Sequence, residues 1–231
     1  MKIRHLSAAP AAIVAALLVA GCGGGGPGPA ATASAGPPPN VAALPKQVRS
    51  AMTKAASVHI SAALTQGGDD VSLDMTMTRS GDMSGGMALN HAPVVVLVTR
   101  GQTYVKVTSA LLKSQHLPTA ACQLMCGKYL KVPASQAKSM LGGMTLTSLL
   151  NDMTSSKPHW TYVRTVTVDG QPTWQMRDTD GSMAYVAAHG PPYLLRLTKG
   201  SQHLDFTLWN AATIPPPPPA SQVVDISQLE Q

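Results

Sequence analysis

The chain has 231 residues, 44% of them hydrophobic but only 4% aromatic, and carries a formal net charge of +6. That length is enough for one domain with a core of its own. The basic excess is spread thinly and contains no Lys/Arg run, which argues against nucleic acid as a partner and only weakly favours a place beside anionic headgroups.

Lys2, Arg4 and His5 form a basic head, and an apolar stretch follows over residues 8–20. The stretch falls short of the roughly 20 apolar residues that a spanning helix needs. Residues 1–21 therefore read as a secretory leader. Val19-Ala20-Gly21-Cys22 resembles a bacterial lipobox. That resemblance implies diacylglycerol (palmitate-type chains) on the Cys22 thiol, cleavage before it and acylation of the new amine. Two or more acyl chains hold a protein firmly where one does so only marginally. The expected location is the outer face of the cell membrane, with Cys22 as the lipidation site. Lys2 and Arg4 leave with the leader, so the mature chain carries 15 basic and 11 acidic residues, a formal +4. Residues 23–40 are almost wholly Gly, Pro, Ala, Ser and Thr. They have too little apolar surface to offset ordering entropy and are expected to form a disordered tether. A single domain is expected over residues 41–231.

"PKQVRSAMTKAAS" sets Val48, Met52 and Ala55 on one stripe with Pro45 in the first turn, which predicts a helix. From Ser57 onward, turn signals recur at Gly67-Gly68, Ser80-Gly81, Arg100-Gly101, Asp169-Gly170, Asp180-Gly181 and Lys199-Gly200. Between them Val71, Leu73, Met75 and Met77 alternate with Ser72, Asp74, Thr76 and Thr78, and Leu204, Phe206 and Leu208 alternate with His203, Asp205 and Thr207. This is the pattern of an antiparallel sheet packed on one face. About ten or eleven strands are expected, mostly joined as hairpins. A sheet of that size must curl, split or close. Residues 108–156 interrupt the meander with three helical stretches, "TSALLKSQ", "PASQAKSMLG" and "TLTSLLNDM". The fold class is thus α+β: a strongly curved antiparallel half-barrel whose concave apolar face is covered by helices. Residues 215–219, all proline, form a stiff polyproline II segment, read either as a ligand for a proline-binding groove or as a spacer that ends the last strand and lets "ASQVVDI" return to the fold.

With Cys22 lipidated, Cys122 and Cys126 remain as a pair in an oxidising compartment. No second ligand pair supports a zinc site, and three intervening residues do not match a redox dithiol. A local structural disulfide is the expected outcome. Catalytic signals are weak. Ser135-Gln136-Ala137-Lys138 has S-x-x-K spacing without a companion K-T-G. The histidines fall singly, and Glu230 is the only glutamate. No enzyme, cofactor or metal site is expected.

The order of motifs carries a family resemblance. A short helix precedes "SVHISAALTQGGDDVSLDMTMTRSGDMSGGMAL"; then come "VVVLVTRGQTYVKV", "GKYLKVP", "DGQPTWQMRDTDGSMAYVAAHGPPYLLRLTKG" and "LDFTLWN". Over residues 41–227 this resembles actinobacterial lipoproteins of the LppX/LprG type, which are similar in fold to the periplasmic carrier LolA. The resemblance implies a half-barrel with a helical lid around a hydrophobic cavity for the acyl chains of lipids or lipoglycans. The chain has 12 Met and one Phe. Flexible, polarizable Met suits such a lining, and carrying an acyl chain through water without cover costs roughly 0.8 kcal/mol per methylene. The cavity lining expected on this reading is Val71, Leu73, Met75, Met77, Met87, Leu89, Val95, Leu97, Met183, Tyr185, Leu195 and Leu197. The expected partners are the membrane, an amphipathic lipid or lipoglycan and an envelope transport system, and the expected state is a monomer. A second reading of the same sheet is a non-catalytic scaffolding lipoprotein with a filled core and no ligand.

Overall fold

A chain with one apolar face per strand needs a cover for that face, and the first helix supplies it. A computed structural model describes residues 35–66, 68–89, 92–114, 118, 120–155 and 158–225. The leader, Cys22 and residues 23–34 lie outside the described residues. Helix α1 (Leu44–Lys54) carries Pro45 in its first turn, where a missing N–H costs nothing, and buries Leu44, Val48 and Met52. Removing three such side chains from water contributes on the order of 5–9 kcal/mol.

The strands are β1 (Ser57–Gln66), β2 (Asp69–Thr78), β3 (Met83–Leu89), β4 (Ala92–Thr99), β5 (Gln102–Lys106), β6 (Tyr129–Val132), β7 (Thr161–Val168), β8 (Gln171–Arg177), β9 (Met183–Ala187), β10 (Leu194–Lys199), β11 (Gln202–Thr207) and β12 (Val223–Asp225). Among the described residues they form one sheet in the order β12-β6-β5-β4-β3-β2-β1-β11-β10-β9-β8-β7. The sheet is curved and open, with β7 and β12 as its edges. Two short elements raise the number of strands to twelve. β6 is four residues long, and β12 is three residues long and pairs parallel to it. Runs that brief carry too little alternation to be counted from sequence.

Between β5 and β7 lie α2 (Ser109–Ser114), α3 (Ala120–Met125), α4 (Ala134–Leu141) and α5 (Leu146–Ser155). α2, α4 and α5 fall on the three expected helical stretches. α3 is an addition, occupying the segment that holds the cysteine pair.

The hairpin turns follow their residues. Arg100 and Gly101 both have positive φ (52° and 72°), as do Asp169 and Gly170 (49° and 78°). This is the type I′ geometry whose twist matches the flanking strands. Gly85 has a different role. It sits opposite Met75 with φ of 151°, and a Cβ there would lie 2.1 Å from the Asp74 carbonyl oxygen and 2.7 Å from the Met75 Cα. At this point β2 and β3 approach too closely for any side chain.

The polyproline run has a mechanical role. From β11 to β12 the sheet order spans seven strand steps, roughly 34 Å along the sheet at ~4.8 Å per step. Residues 208–211 form a turn, so the extended part of this connection is residues 212–219, which reaches roughly 25 Å at ~3.1 Å per residue in polyproline conformation. It delivers the 3-10 turn Ala220–Gln222 and then β12 to the far edge.

The core lies between the concave face and two helices. Val58, Ile60, Met75, Met77, Met83, Met176, Ala184, Val186, Leu194 and Phe206 from the sheet meet Leu44, Val48 and Met52 of α1 and Leu146 and Leu150 of α5. The only Phe is fully buried. Trp209 stacks on it with ring centroids 5.8 Å apart and on Tyr193 at 4.8 Å, and its indole N–H donates to the Leu194 carbonyl at 2.9 Å. Gly85→Ala is expected to destabilise the fold by about 3 kcal/mol and lower Tm by roughly 6–12 °C. Gly36→Ala, in open space with ordinary backbone, should stay within ~0.5 kcal/mol. Thermal unfolding of the two variants is the check; equal Tm values would contradict the close approach.

Candidate functional site

Strand pairing decides which expected cavity residues share a face. Val58↔Met77, Ile60↔Met75 and Ala62↔Leu73 continue into Met77↔Met83 and Leu73↔Met87. Val71, Leu73, Met75, Met77 and Met87 therefore stand on the concave face, and Leu89 holds the matching register position opposite Val71. Leu197 joins them through Leu197↔Leu204 and Leu197↔Ala184.

Four residues fall on the other face. Met83 pairs with Val98 and Gly85 with Val96, so Val95 and Leu97 point away, toward Lys106 and Tyr104. The run "VVVLV" is apolar on both faces and offers no alternation from which to assign a side. Met183 and Tyr185 also point away, because Ala184 and Val186 are the inward residues of β9. Tyr185 instead accepts a hydrogen bond from Gln175 at 3.0 Å, and Gln175 accepts one from Arg164 at 2.8 Å. Beside them Arg196 is paired to Asp205. Leu195 sits at a β-bulge between Leu194 and Arg196, which leaves Leu194 as the residue of the core cluster.

The concave face is closed at its centre, while Val71, Leu73 and Met87 are half-buried. Met75 and Met77 are 0% and 1% exposed, in contact with the helix-covered core. Neither borders the larger opening, which lies at the edge of this core on the flank of α1. It is a cleft of about 540 Å³ lined by Ala42, Pro45, Lys46, Val48, Arg49 and Met52 from the α1 region, Met153 from α5, Pro158 and Trp160 before β7, Asp178, Asp180 and Ser182 between β8 and β9, and Leu194 and Leu197 of β10. Of the twelve expected lining residues, Leu197 alone borders it.

The cleft is built from a helix, a strand and a tight turn. Along α1 the residues at 45, 48, 49 and 52 follow the helical period, so Val48 and Met52 form the floor and the exposed Lys46 and Arg49 the rim. The β8–β9 turn forms the opposite rim. Asp180 accepts from the Lys199 ammonium at 2.8 Å and from the Ser182 hydroxyl and amide at 2.6 and 2.9 Å. The Lys199 contact, then Ser182, holds the Asp180 carboxyl well below the usual carboxylate range, so this rim stays negative through neutral and mildly acidic pH. Asp178 accepts backbone amides from His159 at 3.1 Å and Thr179 at 2.7 Å. The sequence signal for this site was α1 itself, an amphipathic helix with cations three residues apart. Nothing in the sequence brought the Pro158–Trp160 stretch or the β8–β9 turn to it.

The last tether residues are docked. Thr165 donates its hydroxyl to the Ala35 carbonyl at 2.9 Å, Trp174 donates its indole N–H to that of Gly36 at 2.8 Å, and Pro38 is buried. Low hydrophobicity predicts disorder for this stretch, but two carbonyls and one proline ring find a surface. Asn40 then accepts from the Ala43 amide at 3.0 Å and leads into α1.

This arrangement has a counterpart among solved structures. The chain folds like LprF. LprF from Mycobacterium bovis matches with a TM-score of 0.54 at 16% identity, over 78% of this chain and 98% of that one. The lipoprotein LppX from Mycobacterium tuberculosis matches with a TM-score of 0.45 at 17% identity, over 75% of this chain and 96% of that one. No protein-family model and no curated protein matches the sequence. The resemblance seen in the order of motifs thus extends to the LprF fold, a half-barrel with helices across its concave side.

Cys122 and Cys126 are joined by a disulfide across α3. Neither borders the cleft. Leu124 between them is 74% exposed. The Cys122→Ser, Cys126→Ser double variant is expected to lose about 2 kcal/mol of stability and to keep the ligand-binding behaviour of the parent. Denaturant unfolding with a parallel binding assay checks both. A loss of binding at full stability would place the loop in the site.

Proposed function

We propose that the chain is a cell-envelope lipoprotein, anchored through Cys22 on the outer face of the membrane, that binds and carries an amphipathic lipid or lipoglycan in the cleft beside α1. The observation that carries this reading is the make-up of the cleft. Val48, Met52, Met153, Trp160, Leu194 and Leu197 give it an apolar floor, while Lys46, Arg49, Asp178, Asp180 and Ser182 give it a charged and polar rim. That pairing suits a molecule with one apolar end and one polar end. The volume of about 540 Å³ lies within the roughly 300–1,000 Å³ of ordinary small-molecule sites. The LprF fold and the lipobox are consistent with this reading, and no catalytic step is needed for it.

A second reading has its own support. The closed packing of Met75 and Met77 fits a scaffolding lipoprotein with a filled core. The two readings part at the cleft, since a scaffold needs no occupant there.

Protein purified without detergent and extracted with organic solvent is expected to release lipid detectable by mass spectrometry, about one molecule per chain. Ala42→Trp, at an exposed position bordering the cleft, should fill the space and reduce bound lipid by more than tenfold with little change in Tm. If no lipid co-purifies and none can be loaded, the scaffold reading takes its place.

A further inference from the structure

The charges around the cleft are unequally engaged. Both carboxylates are already satisfied: Asp180 by Lys199 and Ser182, Asp178 by the His159 and Thr179 amides and by the Thr179 hydroxyl at 3.3 Å. Lys46 and Arg49 are not. They stand one turn apart on α1, both exposed on the rim, and among the described residues neither side chain makes a hydrogen bond or an ion pair. Among the described residues the cleft thus combines an apolar floor with two unpaired cations on the α1 rim, while on the opposite rim Asp180 is paired to Lys199 and Asp178 is held by neutral donors.

We infer that the cleft selects amphiphiles with an anionic headgroup, a phosphate ester or a free carboxylate, which Lys46 and Arg49 hold while the apolar chain lies over Met52, Met153, Trp160 and Leu197. The inference rests on the amphiphile reading of the cleft and names its ligand class. Arg49 offers a planar fork that matches two anionic oxygens, and Lys46 adds a mobile point charge. Each contact alone is weak at an exposed rim. A bound chain covers the floor and excludes water beside them, which strengthens both. The free anion gains no such cover, so the headgroup and chain are recognised together. A preference on the order of tenfold for an anionic over a neutral headgroup is expected from two such contacts.

The test uses the full chain freed of bound lipid, titrated with dodecyl phosphate, dodecyl phosphocholine and dodecyl maltoside below their micellar concentrations, with inorganic phosphate as a further arm. The change in intrinsic tryptophan fluorescence reports occupancy, since of the three tryptophans Trp160 borders the cleft. Dodecyl phosphate is expected to bind about tenfold more tightly than dodecyl maltoside, with the gap shrinking as salt is raised. The Lys46→Gln, Arg49→Gln double variant should bring the ratio of the two affinities to about one. Both residues are exposed, so an unchanged Tm confirms that the variant is folded. Lys46→Glu, Arg49→Glu should reverse the preference. Equal affinities in the parent, or a gap that survives the double variant, overturns the inference while leaving the amphiphile reading intact. Inorganic phosphate binding as tightly as dodecyl phosphate overturns it in favour of a free-anion site. Failure of all three amphiphiles overturns the amphiphile reading, and the inference with it.

Discussion

The structure depends on one constraint: a curved sheet with an apolar concave face has to be covered, and α1, with Leu146 and Leu150 of α5, covers it. Leu44, Val48 and Met52 enter the concavity and meet Ile60, Met75, Met77 and Phe206. Once they do, the centre of the interior is closed and the methionines of β2 become core. Met is well suited to that task, because an unbranched, polarizable side chain fills gaps that a curved sheet with one Phe leaves open. Curvature has its own requirement. Where β2 and β3 draw together only Gly85 fits. The return from β11 to β12 runs through residues 215–219, all proline.

The same helix that closes the core makes the cleft. Its buried side seals the half-barrel, and its flank, with Lys46 and Arg49, faces the β8–β9 turn across an open space. The residues that lead into α1 are tied down as well, by Thr165 and Trp174 on the β7–β8 edge and by Asn40 at the helix start.

Much of the fold was legible in the sequence, and the reasons are specific. β2 alternates strictly, so its face could be read from Val71 to Met77. The Arg100-Gly101 and Asp169-Gly170 turns demand positive φ at both positions and fixed their hairpins. The stripe of α1 and the three helical stretches of the insert were equally clear. Legibility failed where the pattern lost its period. β4 is apolar on both faces, which hid the orientation of Val95 and Leu97. In β9 the inward residues are Ala184 and Val186, so the larger Met183 and Tyr185 misled. The bulge at Leu194–Arg196 shifted Leu195 off register. The cleft was hidden for a different reason. It joins residues from α1, α5, the approach to β7 and the β8–β9 turn, and such a meeting is set by how the sheet curls, a property of twelve strands together and not of any local pattern.

Where a ligand lies is thus the point on which the account stands. Among the 12 methionines, Met52 and Met153 border the cleft while Met75 and Met77 sit in the closed core. Methyl NMR of the protein labelled at the methionine methyls, recorded as dodecyl phosphate is added, separates the two places in a single titration. The account requires the Met52 and Met153 signals to shift to saturation and those of Met75 and Met77 to hold still. Shifts at Met75 and Met77 with Met52 and Met153 unmoved would put the ligand inside the half-barrel and contradict it.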